Sequence, residues 1–482
     1  MPYRRLQRAE IAATFGKGGG RGTRSVASFD EDTTTMGFEA ARLALSGAPP
    51  DISPDSLWFA TADPAYLDKT NATAIHAALR LDSSVPAFDA GASVRATSGL
   101  LRSALSGSGT TLIVTADRRS GLPTSAEESA SGDAAAAVLV GSDGDGPLLA
   151  ECLGGWSATE EFLDRWRTPG HTASRTWEER FGETRYVPLA EEAWTAALKG
   201  LDLTAADIDH VIVAGLHGRA TKGLARRLGV ADDAVVDDLT SAVGNAGVAQ
   251  PLLVLTDLLE RAAQPHQVIA LVVLADGADV TVFRTTDALA ARVAVRPAVR
   301  PAARSVGAQV AAAADLPYGR FLSWKEQVTV EPPNRPPPDR PSASAASRTE
   351  DWKFGFVGSR DRQSGAVHLP PHRVSMLGGA IDEMDPIALG DARGTIVTYT
   401  VDRLVYSPSP PVVFAVIDFD GGGRTACELT DVDPAEVEIG GRVEMTFRRL
   451  FTSPDGIHNY FWKARPVRDT ADGGEPANEE DR

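Results

Sequence analysis

Sulfur is scarce in this sequence. Of 482 residues only two are cysteine, Cys152 and Cys427. Two cannot build a disulfide framework or an all-cysteine zinc site. Long apolar runs are missing as well. No stretch approaches the ~20 residues that cross a bilayer. The basic start, MPYRRLQRAEIAATFGKGGG, has no apolar core behind it. Neither a membrane span nor a secretory signal is expected, and the expected location is the cytoplasm. Positive charge is outnumbered: 48 Lys and Arg face 65 Asp and Glu, a formal net charge of −17. That balance argues against broad binding to nucleic acid or anionic membranes.

What is present is ordinary globular composition, 43% hydrophobic and 23% charged, in a chain long enough for several domains. Over residues 1–286, short apolar runs alternate with Ala-rich helical patterns. The runs 112–117, 134–141, 210–216 and 268–277 read as buried strands, and 189–201 and 251–263 as helices. Alternation of this kind gives an α/β fold with buried sheets. Residues 287–350 are rich in Ala, Arg, Pro and Ser and read as a linker. Within it, 331–347 is expected to be an extended spacer without helix, because proline lacks the amide donor and fixes φ. Segments 394–406, 411–420, 424–431, 441–451 and 458–467 then read as five strands, enough for a small closed barrel over 393–468. The acidic tail, 469–482, is expected to be disordered. Cys152, in the run LLAECLGG, reads as a small buried hydrophobe.

Several segments of the first part resemble the thiolase superfamily, in its hydroxymethylglutaryl-CoA synthase and ketoacyl synthase III branches. FDEDTTTMGFEAARLAL (29–45) is similar to an opening "EDxxTM" helix, and SGDAAAAVLVG (131–141) to a "GDGAAA" strand. FLDRWRTPGH (162–171) with RFGETRYVPLAEEAW (180–194), and SAVGNAGVAQPLLVL (241–255), follow in the family's order. In the second part, WKFGFVGSRDRQSGAVHLPPHRV (352–374) resembles the zinc ribbon of DUF35 or ChsH2-type domains, and the strands after it resemble their OB-fold. The resemblance implies a duplicated, layered α-β-α-β-α thiolase fold, a degenerate ribbon over 351–392, and an OB-fold domain.

Claisen chemistry in such enzymes needs a thiolate to accept the acyl group, a histidine, and an acid or base. Matched by their neighbours, these positions hold Val94, Ala214 and Ala62. Asp63, His217 and Asn245 are the remnants able to carry polar chemistry nearby. Asn245 matches the asparagine that relatives use to hold a water or carbonyl, and also suits a turn. Ribbon ligand positions match Arg360, Gln363 and Ser375, and His368 and His372 are separated by two prolines, so no metal is expected. Lys17, Arg21 and Arg24, in the loop KGGGRGTR, are candidates for a CoA phosphate.

By resemblance, a coenzyme A thioester is the expected ligand, and the thiolase-like part is expected to pair as a dimer. The chain is expected to be inert alone and to act as a subunit beside a separate, active thiolase in thiolysis or aldol cleavage of acyl-CoA. The alternative is a self-sufficient condensing or retro-aldol enzyme built on Asp63, His217 and Asn245.

Overall fold

A computed structural model describes residues 1–49, 52–91, 93–261, 264–291, 305–331 and 334–468. A first four-stranded sheet has the order β4-β3-β5-β6, from β3 (Ser56–Ala60), β4 (Ala87–Ala90), β5 (Thr111–Asp117) and β6 (Ala134–Val140). A second has the order β10-β11-β12-β7, from β7 (Ala150–Ala158), β10 (His210–Gly215), β11 (Val268–Leu274) and β12 (Ala278–Thr285). In the first sheet β3 runs parallel to both β4 and β5. In the second β10 runs parallel to β11. Strands such as β11 are buried at every residue, which is why they read as unbroken apolar runs.

The helices complete the layers. Helix α4 (Arg95–Ser106) and helix α8 (Gln250–Arg261) lie between the sheets and touch strands of both. Helix α2 (Thr33–Ser46) covers the outer face of β5 and β6, and α6 (Glu179–Leu201) covers β7 and β12. The order is helix, sheet, helix, sheet, helix, as the resemblance implied. Shorter helices are α1 (Ala9–Phe15), α3 (Ala72–Leu79), α5 (Ala126–Ala130) and α7 (Gly218–Ala225). A small hairpin joins β8 (Arg165–Trp166) to β9 (Arg175–Thr176).

The expected linker is folded over much of its length. Helix α9 (Val306–Ala311), strand β13 (Ala314–Asp315) and helix α10 (Tyr318–Trp324) pack onto the first unit. β13 adds to β1 (Arg4–Gln7), which pairs in turn with β2 (Thr23–Val26). Tyr318, Phe321, Leu322 and Trp324 are buried with Leu6, Ile11 and Val26. Aromatic residues spaced through 318–324 outweigh the Ala, Arg and Pro composition that made the segment look like a tether. The spacer 331–347 is also corrected at its end. Once past Pro341, residues Ala343–Arg348 form a helix, capped by Ser342 Oγ accepting from the Ala345 amide at 3.3 Å. Residues 292–304 and the expected tail 469–482 lie outside the described residues.

The C-terminal part begins with a three-stranded ribbon sheet, order β15-β14-β16, from β14 (Val357–Asp361), β15 (Val367–His368) and β16 (Met384–Ala388). Five strands follow in the order β19-β18-β17-β20-β21: β17 (Arg393–Asp402), β18 (Val412–Phe419), β19 (Arg424–Glu428), β20 (Arg442–Thr452) and β21 (His458–Pro466). A bridge between Leu429 and Ala464 brings the end of β19 against β21 and nearly closes the barrel. All five strands lie where the alternating sequence placed them.

The barrel sits directly on α2. Phe38, 1% exposed, meets Phe447 and Trp462 edge-on, each ring 5.4 Å from it, and those two rings lie 5.8 Å apart. The two parts therefore share one hydrophobic core.

Candidate functional site

The acyl site expected from the resemblance lies where β3, β10, α4 and the turn before α8 meet. Val94 stands at the N-cap of α4, 4% exposed. It packs in one apolar cluster with Ala246, Val248 and Ala249, and Ala62 and Leu216 flank the same cluster. Ala214 is buried near the end of β10. Asn245 ties this end in place: its side-chain amide donates to Gly215 O at 2.7 Å, and its Oδ1 accepts from Gly247 N at 3.0 Å. Methyl and isopropyl groups cannot transfer an acyl group or a proton.

The two polar remnants are engaged elsewhere. Asp63 is held by Arg118 at 3.0 Å and faces Arg167 at 3.8 Å. His217 caps α7, with Nδ1 accepting from the Ala220 amide at 3.1 Å and Nε2 bonded to Glu179 O at 2.8 Å. Because Nε2 meets a carbonyl oxygen, it carries the proton, and neither ring nitrogen is left for a substrate. As the N-cap of α7, His217 satisfies an amide that the helix start would otherwise leave free.

Behind this floor lies a carboxylate that sequence reasoning missed. Asp117, at the end of β5, accepts from Ala62 N at 2.9 Å and Val248 N at 3.0 Å, and pairs with Arg119 at 3.3 Å. Burial pushes its carboxyl up, against the pull of Arg119 and the two amides. Gly247 is required here, because a Cβ would lie 2.1 Å from Asp117 Oδ2. Deeper still, buried Asp133 is bridged by Lys325 at 2.6 Å and faces Arg24 at 3.6 Å. Burial lowers the Lys325 ammonium to about 8, although Asp133 raises it. Asp133 moves down despite burial because it faces two cations, Lys325 first and then Arg24.

Arg24 cannot serve as a phosphate contact. It is fully buried and donates to Glu128 O at 2.6 Å and Arg119 O at 3.0 Å. Lys17 and Arg21 are exposed on the glycine loop. Cys152 is also exposed, contrary to expectation, because β7 is a sheet edge.

In the ribbon, Ser375 and His368 are buried, but two of the positions matched from the sequence do not join them. Arg360 and Gln363 are exposed. One residue further on, Asp361 points inward and accepts from Ser364 Oγ at 2.5 Å. Hydrogen bonds from Ser364 and then Ser375 hold its carboxyl down at about 2. Buried His368 Nε2 accepts from Met376 N at 3.1 Å. This donor set is a closed hydrogen-bond network. One carboxylate, one imidazole already bonded to Met376 N and two hydroxyls do not supply the four thiolate or imidazole donors of a structural zinc site. Among the described residues no group of three or more His, Cys, Asp or Glu converges.

With the layered unit and barrel in place, comparison with known proteins is informative. A family model described as "ChsH2, C-terminal OB-fold domain" matches residues 387–448. A "DUF35 domain-containing scaffold protein" from Methanocaldococcus jannaschii is 28% identical over 119 residues, 24% of this chain and 84% of that protein. A hydroxymethylglutaryl-CoA synthase from Thermococcus sibiricus is 28% identical over 293 residues, 59% of this chain and 83% of that protein. The first part of the chain is thus similar to hydroxymethylglutaryl-CoA synthases and shares the thiolase fold, and its C-terminal part is similar to DUF35-type OB-fold domains. A solved structure, "MvaS in complex with 3-hydroxy-3-methylglutaryl coenzyme A", matches the fold with a TM-score of 0.56 at 18% identity, covering 71% of this chain and 91% of that one.

The junction between the synthase-like and OB domains is ionic as well as aromatic. Arg448, 1% exposed, pairs with Glu31 and with Asp431 at 2.6 Å, and faces Asp30 at 3.8 Å. Lys463 bridges Asp30 at 3.0 Å and Glu428 at 2.7 Å. Burial alone would raise Asp30, but Lys463 and Arg448 bring it down to about 2. Asp32 caps α2 through Thr35 N at 2.9 Å and accepts from Tyr460 OH at 2.7 Å. The FDEDTTTM segment thus both starts a helix and receives the barrel. Its run of acids was visible in the sequence, but the cations that neutralise them, Arg448 and Lys463, stand on β20 and β21 of the barrel.

Proposed function

We propose that this chain is a non-catalytic scaffolding subunit that works beside a separate, active thiolase-fold enzyme in thiolysis or aldol cleavage of acyl-CoA in a degradative, β-oxidation-type pathway. One observation carries the proposal. After β3, at the start of α4 and near the end of β10, the matched positions present Ala62, Val94 and Ala214, while Asp63 and His217 are occupied by Arg118 and by backbone groups. The DUF35 relative from Methanocaldococcus jannaschii is named a scaffold protein, which supports the same role. Coenzyme A thioester is the ligand class, in keeping with the ligand named for the solved relative, and Lys17 and Arg21 are the exposed cations of the glycine loop. Pairing with a second thiolase fold would use the edge strand β4, which has a neighbour on one side only and an exposed Phe88.

The self-sufficient alternative, with Asp63, His217 and Asn245 as a replacement set, requires a free base, and both nitrogens of His217 are bonded. The deciding experiment incubates the purified chain with acetyl-CoA and follows it by intact-mass spectrometry. No acyl adduct is expected. A covalent adduct on any side chain around Val94, or turnover of a β-hydroxyacyl-CoA that His217→Ala abolishes, overturns the proposal.

A further inference from the structure

One hairpin of the ribbon holds four large apolar side chains in solvent. Residues 373–382 (RVSMLGGAID) fold back through Gly378 and Gly379, at φ +91° and +71°, with Val374 bridged to Ile381. Val374 is 50% exposed, Met376 77%, Leu377 61% and Ile381 65%. None of the four joins a hydrophobic cluster of the described residues. Yet the hairpin is braced. Arg373 pairs with Asp382 through bonds of 2.6 and 2.7 Å. Met376 N is bonded to His368 Nε2 at 3.1 Å, and Ser375 Oγ donates to Leu377 O at 2.9 Å and accepts from Leu377 N at 3.2 Å. A rigid apolar patch of roughly 450 Å² is as large as the biggest that monomeric proteins usually expose, and such patches mark interaction sites. Around it, Arg373–Asp382, Arg362–Asp385 and Gln363–Glu383 satisfy one another, so the attraction offered to a partner is apolar rather than ionic.

We infer that this hairpin is the docking element for the separate thiolase-fold subunit and inserts into an apolar groove on that protein. The inference rests on the scaffolding role proposed above. Two observations choose the occupant. The barrel already holds one thiolase-like domain, its own, through α2, β20 and β21, and the hairpin takes no part in that contact. A hairpin packed on the same hairpin of a second copy buries at most ~450 Å² on each chain, short of the ~800 Å² per partner of a stable interface. A groove that also covers the polar flanks reaches that area.

The test uses the full chain, co-expressed in turn with each thiolase-fold subunit encoded in its source genome, and reads complex formation by size exclusion with light scattering and affinity by calorimetry. Met376→Asp/Leu377→Asp places charge in the patch without touching the core, and an unchanged melting temperature confirms folding. Ser375→Ala, which removes both Ser375 Oγ bonds to the Leu377 backbone, loosens the brace. The expected result is a complex with one such subunit that the double variant weakens ~30-fold or more, the scale of an interface hot spot, and Ser375→Ala weakens less. A complex that the double variant leaves intact overturns the hairpin assignment while the scaffolding role stands. No complex with any thiolase-fold subunit overturns both. Loss of self-association in the double variant assigns the patch to a second copy and overturns the inference.

Discussion

Replacing Arg448 with methionine tests how the two domains are held. The guanidinium is 1% exposed and stands among three carboxylates, Glu31, Asp431 and Asp30. Lys463 remains near Asp30 and Glu428, so the substitution leaves Glu31 and Asp431 buried without their cation. Breaking a buried pair from one side costs about 3–5 kcal/mol, and ~4 kcal/mol lowers the folded-to-unfolded ratio by roughly a thousandfold. The loss is pH-dependent. Burial already raises the Glu31 carboxyl, against the pull of Arg448, and without Arg448 it rises further. A carboxyl raised in the folded state binds a proton that the unfolded chain, at about 4.3, has released. Its penalty is absent below that value and grows as pH rises through the folded value. The deficit of Arg448→Met is therefore largest at pH 7 and shrinks toward pH 5. Adding Glu31→Gln and Asp431→Asn recovers most of it at neutral pH. Urea denaturation followed by tryptophan fluorescence reads both parts, since Trp462 lies in the barrel and Trp194 in α6. A loss under about 1 kcal/mol at pH 7, or a deficit independent of pH, refutes the reasoning.

Phe38→Ala removes the ring shared by α2 and the barrel, with an expected cost of about 3–5 kcal/mol; calorimetry should show the single unfolding transition separating into two. Lys325 titrates near 8 in the folded chain, below its ordinary 10.5. The folded state releases that proton first, so stability from this group rises with pH between the two values, and Lys325→Met should flatten that rise in urea midpoints measured from pH 7 to 10. Val94→Cys supplies a thiol at a helix start but leaves Ala62 and Ala214 unchanged. Thiol-release assays with acetyl-CoA should show no sustained turnover, and catalytic turnover by this single variant would contradict the account of the site.

Buried strands such as 268–274 and the five barrel strands were legible because their periodicity is local: an unbroken apolar run or an alternation of faces needs no distant partner to be read. The region 305–327 was misread for the opposite reason. Its composition resembles a tether, and only packing against Leu6, Ile11 and Val26, with Lys325 reaching Asp133, makes it part of the first domain. The ribbon failed by one residue. Spacing alone did not separate Arg360 from Asp361, whereas strand pleating turns the first outward and the second inward, onto Ser364 Oγ and Gln363 N. Exposure of Cys152 on an edge strand was equally invisible, since a strand's place in its sheet is not written in the strand.

The sequence by itself determined the layered α/β unit, the barrel and the side-chain types available for chemistry: isopropyl and methyl groups at 94, 62 and 214 follow from the chain whatever its fold. Only the tertiary structure decided which polar groups are free. His217 and Asp63 are chemically capable residues, and partners 38 residues away for the histidine and 55 for the aspartate consume them. It also decided that the acids of 30–32 face Arg448 and Lys463, because burying charge is tolerable only where folding brings the opposite charge into the same dry space.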